Sequence, residues 1–306
     1  MDWIAGIQNA IDYIEDHITE QIDYEKIAAQ SFSSCYHFQR IFSIICGFTV
    51  GEYIRNRRLT LAGKDLASEH GKVLDIAIKY GYESPDSFAR AFQKFHGILP
   101  SEARENGKKL KSFSRLVLKI SMEGGTMMNY RIEEKPEMIL TGYHKHFSGA
   151  PYGNKREQQE EHLFISTRGK QWFLRGVSNN SDPHCVVTNI TDEGYDFYYC
   201  HHIPQWEREN LYNQEITGID FIEQFGFENI RIPKNTYVVF ETKNIKDPIS
   251  DYMNLLNQRI EILTQWLPEA GLQLGKGPEL CIYHWIPKNE RNVQIWMPVE
   301  KNCKMK

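Results

Sequence analysis

Two short runs set polar side chains at the same helical spacing. In Ser34-Cys35-Tyr36-His37-Phe38-Gln39-Arg40-Ile41-Phe42, the residues Tyr36, Gln39 and Arg40 stand at i, i+3 and i+4. On a helix they share one face, with Phe38, Ile41 and Phe42 on the other. Fifty residues on, Ser84-Pro85-Asp86-Ser87-Phe88-Ala89-Arg90-Ala91-Phe92 repeats the arrangement. There Asp86, Ser87, Arg90 and Lys94 make the polar face, and Phe88, Phe92 and Phe95 the apolar one. Arginine grips guanine through two hydrogen bonds and glutamine grips adenine the same way, so these are base-reading groups. The alternative for Arg40 and Arg90 is a solvated helix charge or a salt bridge at the edge of a core. Repetition in tandem favours reading.

The surrounding elements fit that use. Ile27-Ala28 and Ile76-Ala77 each open a short helix ahead of the reading helix, and Gly81 marks the second turn: two helix-turn-helix motifs. Asp23, Ser33 or Ser34, and Ser84 followed by Pro85 are N-caps, and Gly47 and Gly97 are helix stops. Thr49-Val50-Gly51-Glu52 has capping-box spacing and opens a long helix towards Leu66. Its 17 residues from Val50 span about 25 Å. That is the right order to set two reading helices into major-groove segments about 34 Å apart, nearer if the duplex bends. Arg55, Arg57 and Arg58 on this helix either bridge phosphates or form a solvated basic face. Ile4, Ile7, Ile11, Ile14 and Ile18 give the first helix one apolar stripe.

The chain of 306 residues points to about two domains, and its 41% hydrophobic, 25% charged composition is ordinary for a globular protein. The net charge of −4 is unevenly spread. Arg40 to Lys111 holds 13 lysines and arginines against 8 acids, whereas Met1 to Gln39 holds one lysine and seven acids. A basic body under an acidic cap is compatible with DNA on one face. The start lacks the pattern of a secretory signal, and no apolar run reaches membrane-span length. Cysteines 35, 46, 185, 200, 281 and 303 show no paired spacing, so neither a zinc site nor a disulfide frame is expected, and a cytoplasmic, nucleoid-associated location is.

Composition changes after residue 106. Residues 107–126, with Lys108-Lys109-Leu110-Lys111 and Glu123-Gly124-Gly125-Thr126, read as a linker between a 1–106 domain and a 127–306 domain. The second half carries strand-like runs at Met138–Tyr143, Cys185–Ile190, Tyr195–His201, Tyr237–Thr242, Leu280–Trp285 and Val293–Met297. Helical segments at about Glu157–Phe173 and Ser250–Leu267 interrupt them. The expected fold is an all-α domain with two helix-turn-helix motifs joined by a long helix, then an α+β domain of two similar strand-helix-strand-strand halves. Trp172, Tyr195, Phe197, Tyr199, Trp206, Trp266, Tyr283, Trp285 and Trp296 make that domain dense in aromatics. They supply either an aromatic core or, with a carboxylate, a cleft for an apolar or cationic small molecule.

Residues 6–105 resemble the DNA-binding domain of the AraC/XylS family of bacterial transcription regulators. The resemblance rests on Ile27-Ala28, Phe38-Gln39-Arg40-Ile41-Phe42, Gly47, Tyr53, Arg58-Leu59, Ala62, Ile76-Ala77, Gly81-Tyr82, Ser84, Phe88-Ala89-Arg90-Ala91-Phe92, Gly97, Pro100 and Arg104. It implies base reading by Tyr36, Gln39 and Arg40 on one helix and by Ser87 and Arg90 on the other, with RNA polymerase as a further partner. Phe32 stands at a turn position often occupied by glycine in that family. From about Met127 onwards, Tyr130-Arg131-Ile132, Pro136, Pro278-Glu279-Leu280-Cys281-Ile282-Tyr283 and Ile295-Trp296-Met297-Pro298-Val299 resemble GyrI-like effector-binding domains, as in Rob-type regulators. That resemblance implies an effector site, for which Trp172, Tyr199, Glu279, Cys281, Tyr283 and Trp296 are the candidates. Cys281 occupies the place where the family usually has a glutamate; Glu279, on the same strand face, substitutes for it only if the pocket is displaced, and the other expectation is a neutral or thiol-sensitive ligand.

An enzyme is the rival reading. His201-His202 with Cys200 and Asp196 looks like a metal or acid–base cluster, but adjacent strand residues point to opposite faces. No nucleophile motif or phosphate loop is present, so no catalytic residue, metal or cofactor is expected. A small-molecule hydrolase or a purely structural second domain, attached to a DNA-binding module, stays as the alternative to a one-component transcription regulator.

Overall fold

The computed structural model describes residues 3–31, 33–68, 72–105, 108–117, 130–152, 154–205, 209, 224–242, 262–284 and 291–301. The chain divides into two compact units, Met1–Met122 and Glu123–Lys306.

The first unit is helical: α1 (Trp3–Asp16), α2 (Tyr24–Ala29), α3 (Cys35–Cys46), α4 (Val50–Ser68), α5 (Val73–Lys79) and α6 (Pro85–His96). Local chemistry sets most boundaries. Asp23, Ser34 and Ser84 each accept a backbone N–H at the start of α2, α3 and α6. Thr49 and Glu52 exchange bonds of 3.1 Å in both directions at the start of α4. Gly47 and Gly97 close α3 and α6 in the left-handed conformation. The α2–α3 and α5–α6 pairs are the two helix-turn-helix motifs. Phe32 lies outside the described residues.

α4 serves two cores in succession, which is why no single apolar stripe runs along it. Val50, Tyr53 and Ile54 enter a core with Ile7, Ile11, Ile14, Ile27, Phe38 and Phe42. Leu59, Ala62 and Leu66 enter another with Ile76, Ala77, Tyr80, Phe88 and Phe92. α3 and α6 are thus each fixed to one half of α4 by their buried phenylalanines.

Among the described residues the second unit holds nine strands: β1 (Tyr130–Lys135), β2 (Met138–Ser148), β3 (Pro183–Thr188), β4 (Gly194–His201), β5 (Glu228–Ile232), β6 (Asn235–Glu241), β7 (Leu272–Leu274), β8 (Glu279–His284) and β9 (Asn292–Lys301). The main order is β1-β6-β9-β8-β3-β4-β2-β5, antiparallel throughout, with β7 added to β9. Read outwards from the β8–β3 junction, β8-β9-β6 mirrors β3-β4-β2, so two like halves meet edge to edge. Where one helical segment was expected at about Glu157–Phe173, two lie between β2 and β3 in sequence, α7 (Asn154–Ser166) and α8 (Arg168–Val177), interrupted at Thr167, whose backbone leaves the helical range. The expected second helix falls largely on residues 250–261, outside the described residues; a π-type turn, Ile262–Trp266, follows them.

One row of directly opposed residues crosses most of the sheet: Tyr143, Tyr199, Cys185, Cys281, Ile295, Phe240 and Tyr130. Phe164 of α7 packs on Tyr199, and Trp266 packs on Phe240 and Tyr130, so the helical segments of both halves cover this face. The other face is an apolar cluster of Leu140, Val186, Cys200, Ile232, Tyr237, Val239, Leu280, Ile282 and Trp296.

Candidate DNA-reading helices and sensor face

On α6 the polar row is presented to solvent. Asp86, Arg90 and Lys94 are exposed, and Phe88 and Phe92 beneath them are fully buried. Ser87 is half-buried, and its hydroxyl donates to the Ser84 carbonyl at 2.8 Å, completing the cap rather than standing free. On α3 the matching row differs. Tyr36 is 36% exposed and Gln39 half-buried, but Arg40 is 1% exposed, with Ser43 and Ile44 beside it also buried. The expectation that Arg40 presents a base-reading guanidinium is therefore corrected: for it to reach a base edge, the buried strip of α3 must first be uncovered.

The basic face expected on α4 is also largely committed inside the unit. Arg57 donates to both oxygens of Glu15 at 2.8 Å and to the Phe113 carbonyl at 2.7 Å. Burial raises the Glu15 carboxyl, but the bonds from Arg57 and Tyr53 outweigh it and hold the group below the usual range. Arg58 donates to the carbonyls of Ile18 and Glu20 at 2.8 and 2.6 Å. Arg55 is exposed. With Arg58, Tyr24, Tyr80, Gly81 and Tyr82, it lines a hollow of about 260 Å³ beside the second turn.

In the second unit, strand alternation sorts the candidate effector residues. Glu279, Cys281 and Tyr283 face the helix-covered side of β8. Glu279 is 2% exposed and accepts a 2.9 Å bond from the Tyr152 hydroxyl. Cys281 lies directly opposite Cys185, and burial drives the Cys185 thiol well above its usual value. Tyr199 lies in the same row, under Phe164. Two candidates fall elsewhere. Trp296 pairs with Leu280, not Cys281, so it belongs to the opposite apolar face, where Lys135 lies 4.4 Å above its ring. Trp172 is 69% exposed on α8, across the helix from buried Leu174, so it is not part of a closed aromatic wall. Trp206 and Trp285 are outside the described residues.

Sequence reasoning missed Tyr152, Arg156 and Glu160. Arg156 is buried and donates to Glu160 at 2.5 Å and to the Pro151 carbonyl at 2.9 Å. An i, i+4 charged pair reads as solvent-facing in sequence, and only the seating of α7 on the sheet reveals otherwise.

The histidine-cysteine-aspartate cluster does not assemble. Asp196 binds His146 and Asn189. Cys200 is in the apolar cluster, and His201 faces the other side, its Nδ1 2.9 Å from the Ser181 carbonyl. Burial pushes His201 down to about 4. Among the described residues no group of three or more ligating side chains could hold a metal.

Comparison with known proteins follows this division. Residues 27–106 match the helix-turn-helix domain family. Residues 131–299, more than half of the chain, match the family of integron-associated effector binding proteins. The transcriptional activator AarP of Providencia stuartii is 40% identical over 95 residues, 31% of this chain and 70% of AarP. The regulatory protein SoxS of Salmonella typhimurium is 37% identical over 98 residues, 32% of this chain and 92% of SoxS. Among solved structures, an integron cassette protein from the mobile metagenome of Vibrio cholerae covers 56% of this chain and 95% of its own, at 15% identity and a TM-score of 0.36. The chain belongs to the AraC family of transcription regulators, joining an AraC-type DNA-binding domain to a GyrI-like effector-binding domain of the integron-associated kind.

Proposed function

We propose that this regulator sets α3 and α6 into successive major-groove segments and answers to a small molecule held on the helix-covered face of its sheet. The DNA half is carried by one observation: α6 exposes Asp86, Arg90 and Lys94 in a row above two fully buried phenylalanines. Arg90 is the base reader there, Lys94 a phosphate partner, and Asp86 and Ser87 shape the helix start. Tyr36 and Gln39 are the readers that α3 presents as it stands.

For the sensor half, Glu279 is the recognition acid. A carboxylate among aromatic rings attracts an apolar cation through charge and through the ring quadrupoles. The ligand is bound and not turned over: the Cys185 thiol is kept protonated by burial, and His201 is tied to Ser178 at the end of α8 and to Ser181 just before β3. AarP is an activator, and by that likeness RNA polymerase is a further partner. DNA as the principal partner places the protein with the nucleoid, and among the described residues no helix is long and apolar enough to cross a membrane.

Genome-wide mapping of bound DNA, with and without lipophilic cations, tests the reading. Discrete sites whose occupancy changes with the cation are expected. Turnover of an amine or epoxide substrate with no sequence-specific DNA binding would favour the hydrolase instead.

A further inference from the structure

Residues 108–117, read from the sequence as linker, have no regular secondary structure but are packed within the first unit. The Lys111 N–H donates to His96 Nδ1 at 3.2 Å, which leaves the proton on Nε2, and that nitrogen lies 2.9 Å from the Leu59 carbonyl. The Phe113 N–H donates to Thr60 Oγ1 at 2.9 Å, and the Phe113 carbonyl accepts from Arg57 at 2.7 Å. The Leu116 N–H reaches the Tyr53 hydroxyl at 3.3 Å, and Arg115 pairs with Asp12 of α1 at 2.7 Å. The segment therefore runs antiparallel to α4, from its C-terminal half to its N-terminal half.

Its side chains join the two cores in turn. Leu110 packs on the core of the second motif. Phe113 and Leu116 pack on the core of the first, with the Phe113 ring edge-on to Phe48 and Tyr53 at 5.5 and 6.0 Å. A ligament tied to both halves of α4, from Tyr53 to Gly63, resists bending and twisting of one motif against the other. Duplex DNA demands that resistance, because moving a half-site by one base pair rotates its groove by roughly 35°, there being about 10–10.5 base pairs per turn.

We infer that residues 110–116 form a brace that fixes the angle between α3 and α6, and so set the half-site spacing the protein accepts. None of them needs to touch DNA; they are positioning residues. The inference rests on α3 and α6 being the reading helices. Its test keeps the two apart.

Sites are first selected from random DNA with the full-length protein, then remade with one or two base pairs inserted between the half-sites. The unaltered protein should lose about tenfold or more in affinity on the displaced sites, a difference of about 1.4 kcal/mol. Phe113→Ala should bind the native spacing more weakly by about fivefold, yet lose less than about threefold on displacement, with the same half-site bases selected. Thr60→Val, which removes one hydrogen bond, should move in the same direction, and it carries the test alone if melting shows Phe113→Ala unfolded. Variants whose loss on displaced sites equals that of the unaltered protein would overturn the brace. An unaltered protein that selects no sequence at all would instead overturn the DNA reading beneath it.

Discussion

Arg40 and Arg90 occupy matching places in the two motifs, and the fold treats them differently. Arg90 stands exposed, whereas Arg40 is enclosed at 1% exposure. Arg90→Ala should therefore lose about 1–3 kcal/mol at a cognate site, confined to one or two base pairs, with an unchanged melting temperature. Arg40→Ala should instead lower the melting temperature, since it empties a buried polar position. Competition binding against single-base variants, beside thermal melts, checks both; a uniform loss over all sequences for Arg90→Ala would reduce it to a phosphate contact. At the sensor face, Glu279→Gln should weaken binding of lipophilic cations by about tenfold in calorimetric titration, because the ring quadrupoles remain but the charge is gone. Adding an acid through Cys281→Glu should not improve on the native protein. It would bury a second carboxylate on the face that already holds Glu279, which raises one of the two and destabilises the strand. Unchanged affinity in Glu279→Gln would remove Glu279 from recognition. The sequence shows residue types at such points but not their exposure: Arg40 and Arg90 share the same local pattern, and enclosure depends on the tertiary surroundings.

Among the elements, the helices of the first unit were legible because most of their ends are local chemistry. Asp23, Ser34, the Thr49–Glu52 exchange, Ser84 and the two stop glycines all act within one turn. Three strands were not legible. β1 and β5 are the two edges of the main sheet, and their charged residues, such as Arg131, Glu133, Glu228 and Arg231, break the alternation of a half-buried strand. β7 has only three residues. Faces were harder still, because Trp296 and Cys281 differ only in register, and register is a property of the pair of strands. The second turn gives a sharp test. Gly81 has φ +78°, and a Cβ there would stand 2.8 Å from Arg58 Nη1. Gly81→Ala should cost about 1–2 kcal/mol from the left-handed backbone alone, with a further loss from the displaced Arg58. Chemical denaturation of the first unit measures it, and an unchanged midpoint would contradict the role given to this turn.

For the whole molecule, the tandem motifs of the first unit and the paired halves of the second were foreseeable from repetition and strand order, whereas the division of the first unit into two cores along α4 was not. The brace was not, because Lys108-Lys109-Leu110-Lys111 has the composition of a linker and its partners lie as many as 103 residues away in sequence. Acid should separate the two units. Burial holds His184 and His201 down to about 4 in the second unit and His96 below its usual value in the first. Below the ordinary histidine value of 6.5 the unfolded chain takes up protons that the folded one refuses, so stability is full above 6.5 and falls towards pH 4. A shift of that size is worth about 3 kcal/mol for each of the two lowest groups. Unfolding followed from pH 7 to pH 4 should show the second unit losing most, and a midpoint independent of pH over that range would contradict it. Methylation-interference footprinting of the full-length protein on a selected site shows whether α3 and α6 read DNA from one rigid frame. Two interference clusters on one side of the duplex, with centres about 10 base pairs apart, are predicted. A single cluster, or two whose spacing varies from site to site, would rule out a rigid pair of reading helices.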